Sequence, residues 1–193
     1  MYEPQNFDRL LGLEGFSDQL LKNHFTLYQG YVTNTNKLMD ELRALAADEK
    51  LATPAASELR RRLGWEWNGM RLHELYFGNM SAKGGMDTSS LPIQQKIESQ
   101  FGSMEAWTKD FKAAGAMRGI GWVILYHDRA TDKLVNAWIN EHDAGHLAGS
   151  TPILLMDVFE HAFMLDYGLK RADYIEAFFK AIDWGAVDGR RLT

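Results

Sequence analysis

The chain has 193 residues, 46% of them hydrophobic and 12% aromatic, enough apolar side chain to bury a sizeable core in one or two compact domains. It contains no Cys, which excludes disulfides, thiolate metal sites, iron–sulfur clusters and cysteine nucleophiles; imidazole and carboxylate are left to hold any metal, with six His to draw on. A net charge of -5 and the lack of any Lys/Arg-rich run argue against a nucleic-acid or anionic-membrane surface. The opening MYEPQNFDRL has no charged stretch followed by an apolar one, and no run of about 18 apolar residues occurs anywhere. Neither an export signal nor a membrane span is expected, so a cytoplasmic protein is the default.

From the candidate N-cap Ser17, apolar residues recur at helical spacing through Leu20, Leu21, His24, Leu27, Tyr28, Tyr31, Leu38 and Leu42. Pro54 and Ser57 mark a turn, after which Leu59, Leu63, Trp67, Met70, His73 and Phe77 repeat the pattern. Two long helices joined by about 10 residues should form an antiparallel hairpin. The linker-like SAKGGMDTSSLP sets a boundary between an N-terminal α-hairpin domain, 1–85, and a C-terminal α/β domain, 86–193. In the second region LPIQQKIESQFGSMEAWTKDFKAAGAM reads as two short helices split at Gly102. The apolar runs GWVILYHD, KLVNAWINEH and TPILLMDVF predict three strands, and EHAFMLDYG and ADYIEAFFKAIDW return to helix. The fold class expected is α+β: a long α-hairpin followed by an α/β domain whose three-stranded antiparallel sheet is flanked by helices.

His24 and His73 each lie on an apolar helix stripe, where a single His is ordinarily a core residue with one hydrogen bond. One on each arm of a hairpin, however, can face the other. In DVFEH, Asp157 and His161 are four apart and would share one face at the start of a helix, although a first-turn acid beside an incidental imidazole explains that pair equally well. Taken together, three imidazoles and one carboxylate suit Fe, Mn or catalytic Zn, with a position left for solvent. Tyr31 follows His24 by seven residues, within roughly 20° of the same helix face, and could reach the site or simply sit in the core.

The segments LHELYFGNM, FKAAGAMRGIGWVILYHD and ILLMDVFEHAFMLDYGLKRADYIEAFFKAIDW resemble the iron/manganese superoxide dismutase family, in the same order and across nearly the whole chain; DVFEHA is similar to the family's signature. The resemblance implies one Fe or Mn ion per chain held by His24, His73, Asp157 and His161, with a solvent molecule as fifth ligand. Superoxide would be the substrate, converted to dioxygen and hydrogen peroxide. It further implies Tyr31 as the active-site tyrosine, Trp122 and Phe77 as apolar walls, and Arg171 as a cation that guides the anion inward. Glu160 would reach the metal-binding His across a two-fold interface, which implies a homodimer at least, with Tyr174 belonging to the interface and a tetramer left open.

The chain also departs from the family pattern. HFTLYQGY is one residue shorter than the family's run between ligand and tyrosine, which is tolerable if the family helix carries a one-residue π-bulge that this helix lacks. The gateway residues are replaced by Leu27 or Tyr28 and by Phe163 or Met164, and Phe159 stands where a Trp is usual. The Gln that family members aim at the metal solvent is absent: its helix-two position is Gly69 and its sheet-side position is His142. His142 is therefore the expected substitute, which favours Fe over Mn. His127 and His146 read as surface or structural. Two rival readings share the ligand set: another mononuclear metal enzyme such as an oxygenase or hydrolase, and a non-catalytic metal-binding relative.

Overall fold

A computed structural model describes residues 1–82 and 91–192. The hairpin forms as its periodicity requires. The Ser17 hydroxyl accepts from Leu20 N at 3.0 Å and opens α1 (Asp18–Ala47). Thr53 caps α2 (Pro54–Gly78), which starts one turn earlier than expected. Pro54 opens that helix because a first-turn residue needs no N–H for the helix ladder, and the connection shrinks to residues 48–53. The two helices pack along each other, with His24 on the buried stripe of α1 and His73 on that of α2. Between His24 and Tyr31, α1 is continuous α-helix without a π turn, as the shortened run requires.

The expected boundary between 85 and 86 lies outside the described residues. Beyond it, α3 (Pro92–Phe101) and α4 (Met104–Gly115) are separated at Gly102, whose φ of 87° suits glycine, and Ser103 caps α4. β1 (Trp122–Asp128), β2 (Lys133–Ile139) and β3 (Ser150–Asp157) form an antiparallel sheet in the order β2-β1-β3. Central β1 is buried from Trp122 to His127, which is why its run is apolar almost throughout.

The chain from Val158 to Tyr167 differs from expectation. Asp157 is the last residue of β3, paired with Trp122, as the strand expected over TPILLMDVF has it, and does not begin the helix that its spacing to His161 also allowed. Its Oδ1 accepts from Phe159 N at 2.9 Å, a local bond that turns the chain, and Glu160–Ala162 follow as a single 3-10 turn. The expected helix over EHAFMLDYG is thus that turn plus the one-turn α5 (Met164–Tyr167). α6 (Arg171–Ala181) matches its pattern, and α7 (Trp184–Leu192) extends beyond it.

The two halves are fastened near the C-terminal end of α2. Ser81 N donates to Ala181 O and Asp183 N to Asn79 O, while Asn79 Oδ1 accepts from Leu155 N of β3 at 2.9 Å. Arg190 reaches the carbonyls of Leu75 and Ile153. This junction holds the last turns of α2 beside β3, and it therefore fixes where His73 meets Asp157. Among the described residues, no helix is long and apolar enough to cross a membrane.

Candidate metal centre

Four side chains converge where the hairpin meets the end of β3. The Asp157 Oδ2 lies 3.2 Å from His24 Nε2, 3.1 Å from His161 Nε2 and 3.6 Å from His73 Nε2. His24, His73 and Asp157 are buried and His161 is partly buried; the four ligand atoms lie within 4.8 Å of one another. All four sequence candidates are therefore brought together, from α1, α2, β3 and the 3-10 turn.

Donor and acceptor roles show why this cluster needs a cation. His73 Nδ1 lies against Gly69 O, and a carbonyl can only accept, so the ring proton sits on Nδ1 and Nε2 presents a lone pair. Burial pushes the pKa of His73 well below the usual imidazole value, with the neighbouring His24 adding to the shift, so the ring stays neutral. Its Nε2 and the Asp157 oxygen are then two acceptors facing each other in the interior. The Nε2 atom of His73 is buried without a hydrogen-bond partner, and that of His24 has only the Asp157 carboxylate, at 3.2 Å. Burial alone would raise the Asp157 carboxyl; the charges and hydrogen bonds of His161 and His24 outweigh it and hold the pKa well below the carboxylate range. A buried anion facing the lone pair of His73 is costly as it stands, and a cation shared among the four atoms would relieve it.

Tyr31 and His142 close one side of the site. The Tyr31 ring stacks on His73 with centroids 5.2 Å apart, and its hydroxyl lies 2.8 Å from His142 Nε2. Trp122 Nε1, which can only donate, points at His142 Nδ1 at 3.1 Å. Burial pushes the His142 pKa down to about 4, so the ring is neutral and its proton must sit on Nε2. His142 therefore donates to the Tyr31 oxygen, leaving the Tyr31 proton free to be donated elsewhere. Burial, with the Asp157 charge adding to it, pushes the Tyr31 phenol up to about 12, so that proton is retained at neutral pH.

Gly69 makes this arrangement possible. A Cβ there would lie 2.5 Å from Tyr31 Cδ1, so no side chain fits while the Tyr31 ring stays on His73. Phe77 and Trp122 pack edge-on against ligand rings, as expected of the walls. Phe159 stacks on His161 at 5.2 Å and packs on His142 at 4.8 Å, filling the wall position. Trp65, which the sequence reading missed, packs on His142 at 4.8 Å. Its only sequence signal is that residues 65, 69 and 73 recur every four residues along α2.

The family model of iron/manganese superoxide dismutases, C-terminal domain, matches residues 89–190. An iron superoxide dismutase of Aquifex pyrophilus is 36% identical over 197 residues, covering 97% of this chain and 90% of that protein. Superoxide dismutase [Mn] 2 of Haloferax volcanii is 37% identical over 169 residues, covering 87% and 83% respectively. The chain belongs to the iron/manganese superoxide dismutase family.

Other residues read against the pattern of iron/manganese superoxide dismutases lie elsewhere. Tyr174 is not an interface residue: it is fully buried within its own chain, where its hydroxyl donates to Asp157 O at 2.6 Å and meets Tyr76 OH at 3.1 Å. Tyr76, which the sequence reading also missed, packs its ring 5.4 Å from that of His24. Tyr28 does not face the site entrance; its hydroxyl accepts from Gln5 N and donates to Glu74, between the N-terminal arm and α2. Phe163 stacks on Tyr174, while Met164 is exposed. Arg171 donates to Met117 O and Gly119 O with its guanidinium over Phe163, and these contacts place it outside the cluster of ligands. Glu160 is exposed beside His161, on a hollow also lined by Leu20, Asn23, Met164 and Leu165.

Proposed function

We propose that this protein is a superoxide dismutase holding one iron or manganese ion per chain on His24, His73, Asp157 and His161. The observation that carries the reading is the buried, unpartnered Nε2 of His73 converging with the Nε2 atoms of His24 and His161 on one buried carboxylate. An ion bound there supplies a one-electron couple between divalent and trivalent states, which zinc lacks, so that one superoxide is oxidised to dioxygen and the next reduced to hydrogen peroxide. Three neutral imidazoles and one carboxylate carry one negative charge, compatible with either state.

The remaining work falls to the chain. Peroxide formation consumes two protons, and Tyr31 holds one beside the site with its oxygen anchored by His142. The apolar walls of Phe77, Trp122 and Phe159 exclude water and strengthen every charge interaction inside. Arg171, held by two carbonyls, is a fixed cation on an otherwise acidic protein and would raise the encounter rate of an anion. The His142 partner favours iron over manganese, because an outer group of that kind tunes the redox potential.

The chain acts as a homodimer in this reading. Glu160 is free to reach the metal-binding His161 of the partner subunit and hold its tautomer, and the exposed Met164 and Leu165 supply apolar surface beside it. The hairpin, 1–85, and the α/β half, 86–193, act as two domains meeting at the metal, in a cytoplasmic enzyme.

The test is metal content and superoxide consumption on one preparation, reconstituted separately with iron and with manganese. Turnover is expected with at least one metal and is lost in His161→Ala. Full occupancy without turnover for either metal would refute the reading.

A further inference from the structure

The loop from Asn140 to Gly149 carries His142, yet has neither helix nor strand of its own. Glu141 adopts a φ of 62°, and Gly145 and Gly149 adopt 91° and 80°. A left-handed Glu directly before a buried His costs energy, and such a conformation persists only where its surroundings enforce it. A second histidine holds the backbone just after Glu141. His146 Nε2 lies 2.7 Å from the backbone carbonyl of His142, and its Nδ1 lies 2.8 Å from the hydroxyl of Tyr126.

The roles along this chain of contacts follow from the chemistry of each group. The carbonyl of His142 can only accept, so His146 Nε2 carries the proton and Nδ1 presents the lone pair. Tyr126 must then donate to Nδ1. Tyr126 is 1% exposed in the central strand β1, bonded between β2 and β3. His146 is thus a strut from the middle of the sheet to the backbone of His142. Trp122, also on β1 and on the same face by the two-residue period of a strand, grips the His142 ring. One rigid strand therefore fixes both the main chain and the side chain of His142.

We propose that His146 is a positioning residue for Tyr31, acting through the backbone of His142 and taking its own orientation from Tyr126. Nothing about His146 alone suggested this from sequence, where it reads as a surface or structural His near a glycine. The inference rests on the reading of Tyr31 as the proton donor, and it adds the device that keeps the His142 Nε2–H on the Tyr31 oxygen. A loosened loop would let the His142 ring move and free the Tyr31 hydroxyl to turn away from the site.

The test uses the metal-loaded protein and compares His146→Leu, His146→Gln and Tyr126→Phe. The first removes both polar atoms of the strut. The second keeps an acceptor and a donor at nearly the spacing of the two ring nitrogens, and the third removes only the Tyr126 donor. Turnover per bound metal should fall about 10-fold in His146→Leu and by a smaller factor in Tyr126→Phe, the scale of losing an outer partner of a metal site. The midpoint potential of the bound metal should shift in both, with metal content unchanged, and His146→Gln should restore turnover and potential together. The potential is read without superoxide, so a protein with no dismutase turnover at all would fail the functional reading and still test the strut. A folded His146→Leu with wild-type turnover and potential would overturn the proposal. If that variant does not fold, an unaltered potential in Tyr126→Phe would overturn it instead.

Discussion

Replacing Gly69 with Ala sets two ordinary effects against each other. In a helix interior the change normally stabilises by about 1 kcal/mol, because glycine gives up more backbone freedom on folding. At this position the added Cβ would lie 2.5, 2.7 and 2.8 Å from three Tyr31 ring carbons, and ordinary contact begins at 3.4 Å. The ring must retreat from 2.5 to 3.4 Å, and overpacking of that kind costs about 1–3 kcal/mol. The net stability change is thus a loss of about 0–2 kcal/mol, a melting shift of at most several degrees for a chain of this size. Catalysis has no such compensation. A retreat approaching 1 Å breaks the 2.8 Å bond between Tyr31 and His142, and displacements of about that size commonly cost on the order of 100-fold. Stopped-flow decay of superoxide, normalised to bound metal and paired with a thermal melt, should show about 10–100-fold lower turnover with the melt little changed. A variant that melts higher than the parent and turns over at the parental rate would refute the reasoning.

Asp157→Asn keeps the shape of the ligand but removes the one negative charge among three imidazoles; metal occupancy in equilibrium dialysis should fall by well over the ~10-fold typical of losing an outer partner, and an unchanged affinity would rule Asp157 out as a ligand. The metal-free protein should lose stability as pH falls below 6.5, because burial lowers the pKa of His24 and His73 in the folded chain and the unfolded chain then binds more protons. Asp157, also lowered, adds to the loss only further down, below its ordinary 3.8. Urea melts on either side of pH 6.5 read this directly, and equal midpoints would contradict it.

The hairpin and central strand were legible because their physics is local. Apolar residues at helical spacing bury one stripe, and an unbroken apolar run such as Trp122–Tyr126 has to be covered on both faces. His24 and His73 could be paired for the same reason, since each sat on a stripe with one place to go. The run TPILLMDVF put Asp157 in a strand, while its four-residue spacing to His161 fitted a helix turn equally well. Pairing of Asp157 with Trp122 across the sheet, a tertiary contact, decides for strand. Tyr174 and Tyr28 failed as expectations in a similar way: an aromatic on a helix can face a partner or its own core, and here the carbonyl of Asp157 and the carboxylate of Glu74 claim their hydroxyls. α7 contains Gly185 and Gly189, which weaken any helical signal, and it is held in place by the reach of Arg190 into the α2–β3 junction.

The ligands come from α1, from α2, and from the end of β3 with the turn after it, three stretches far apart along the chain and joined here at one point. An ion at that point cross-links the chain, closing loops that the unfolded polymer would otherwise leave open. With His24, His73 and Asp157 all buried, three of the four ligands cannot swing out to solvent while the hairpin stays packed on the sheet. Freeing the ion from those three ligands then requires the hairpin and the sheet to part, which couples metal exchange to an opening of the whole fold.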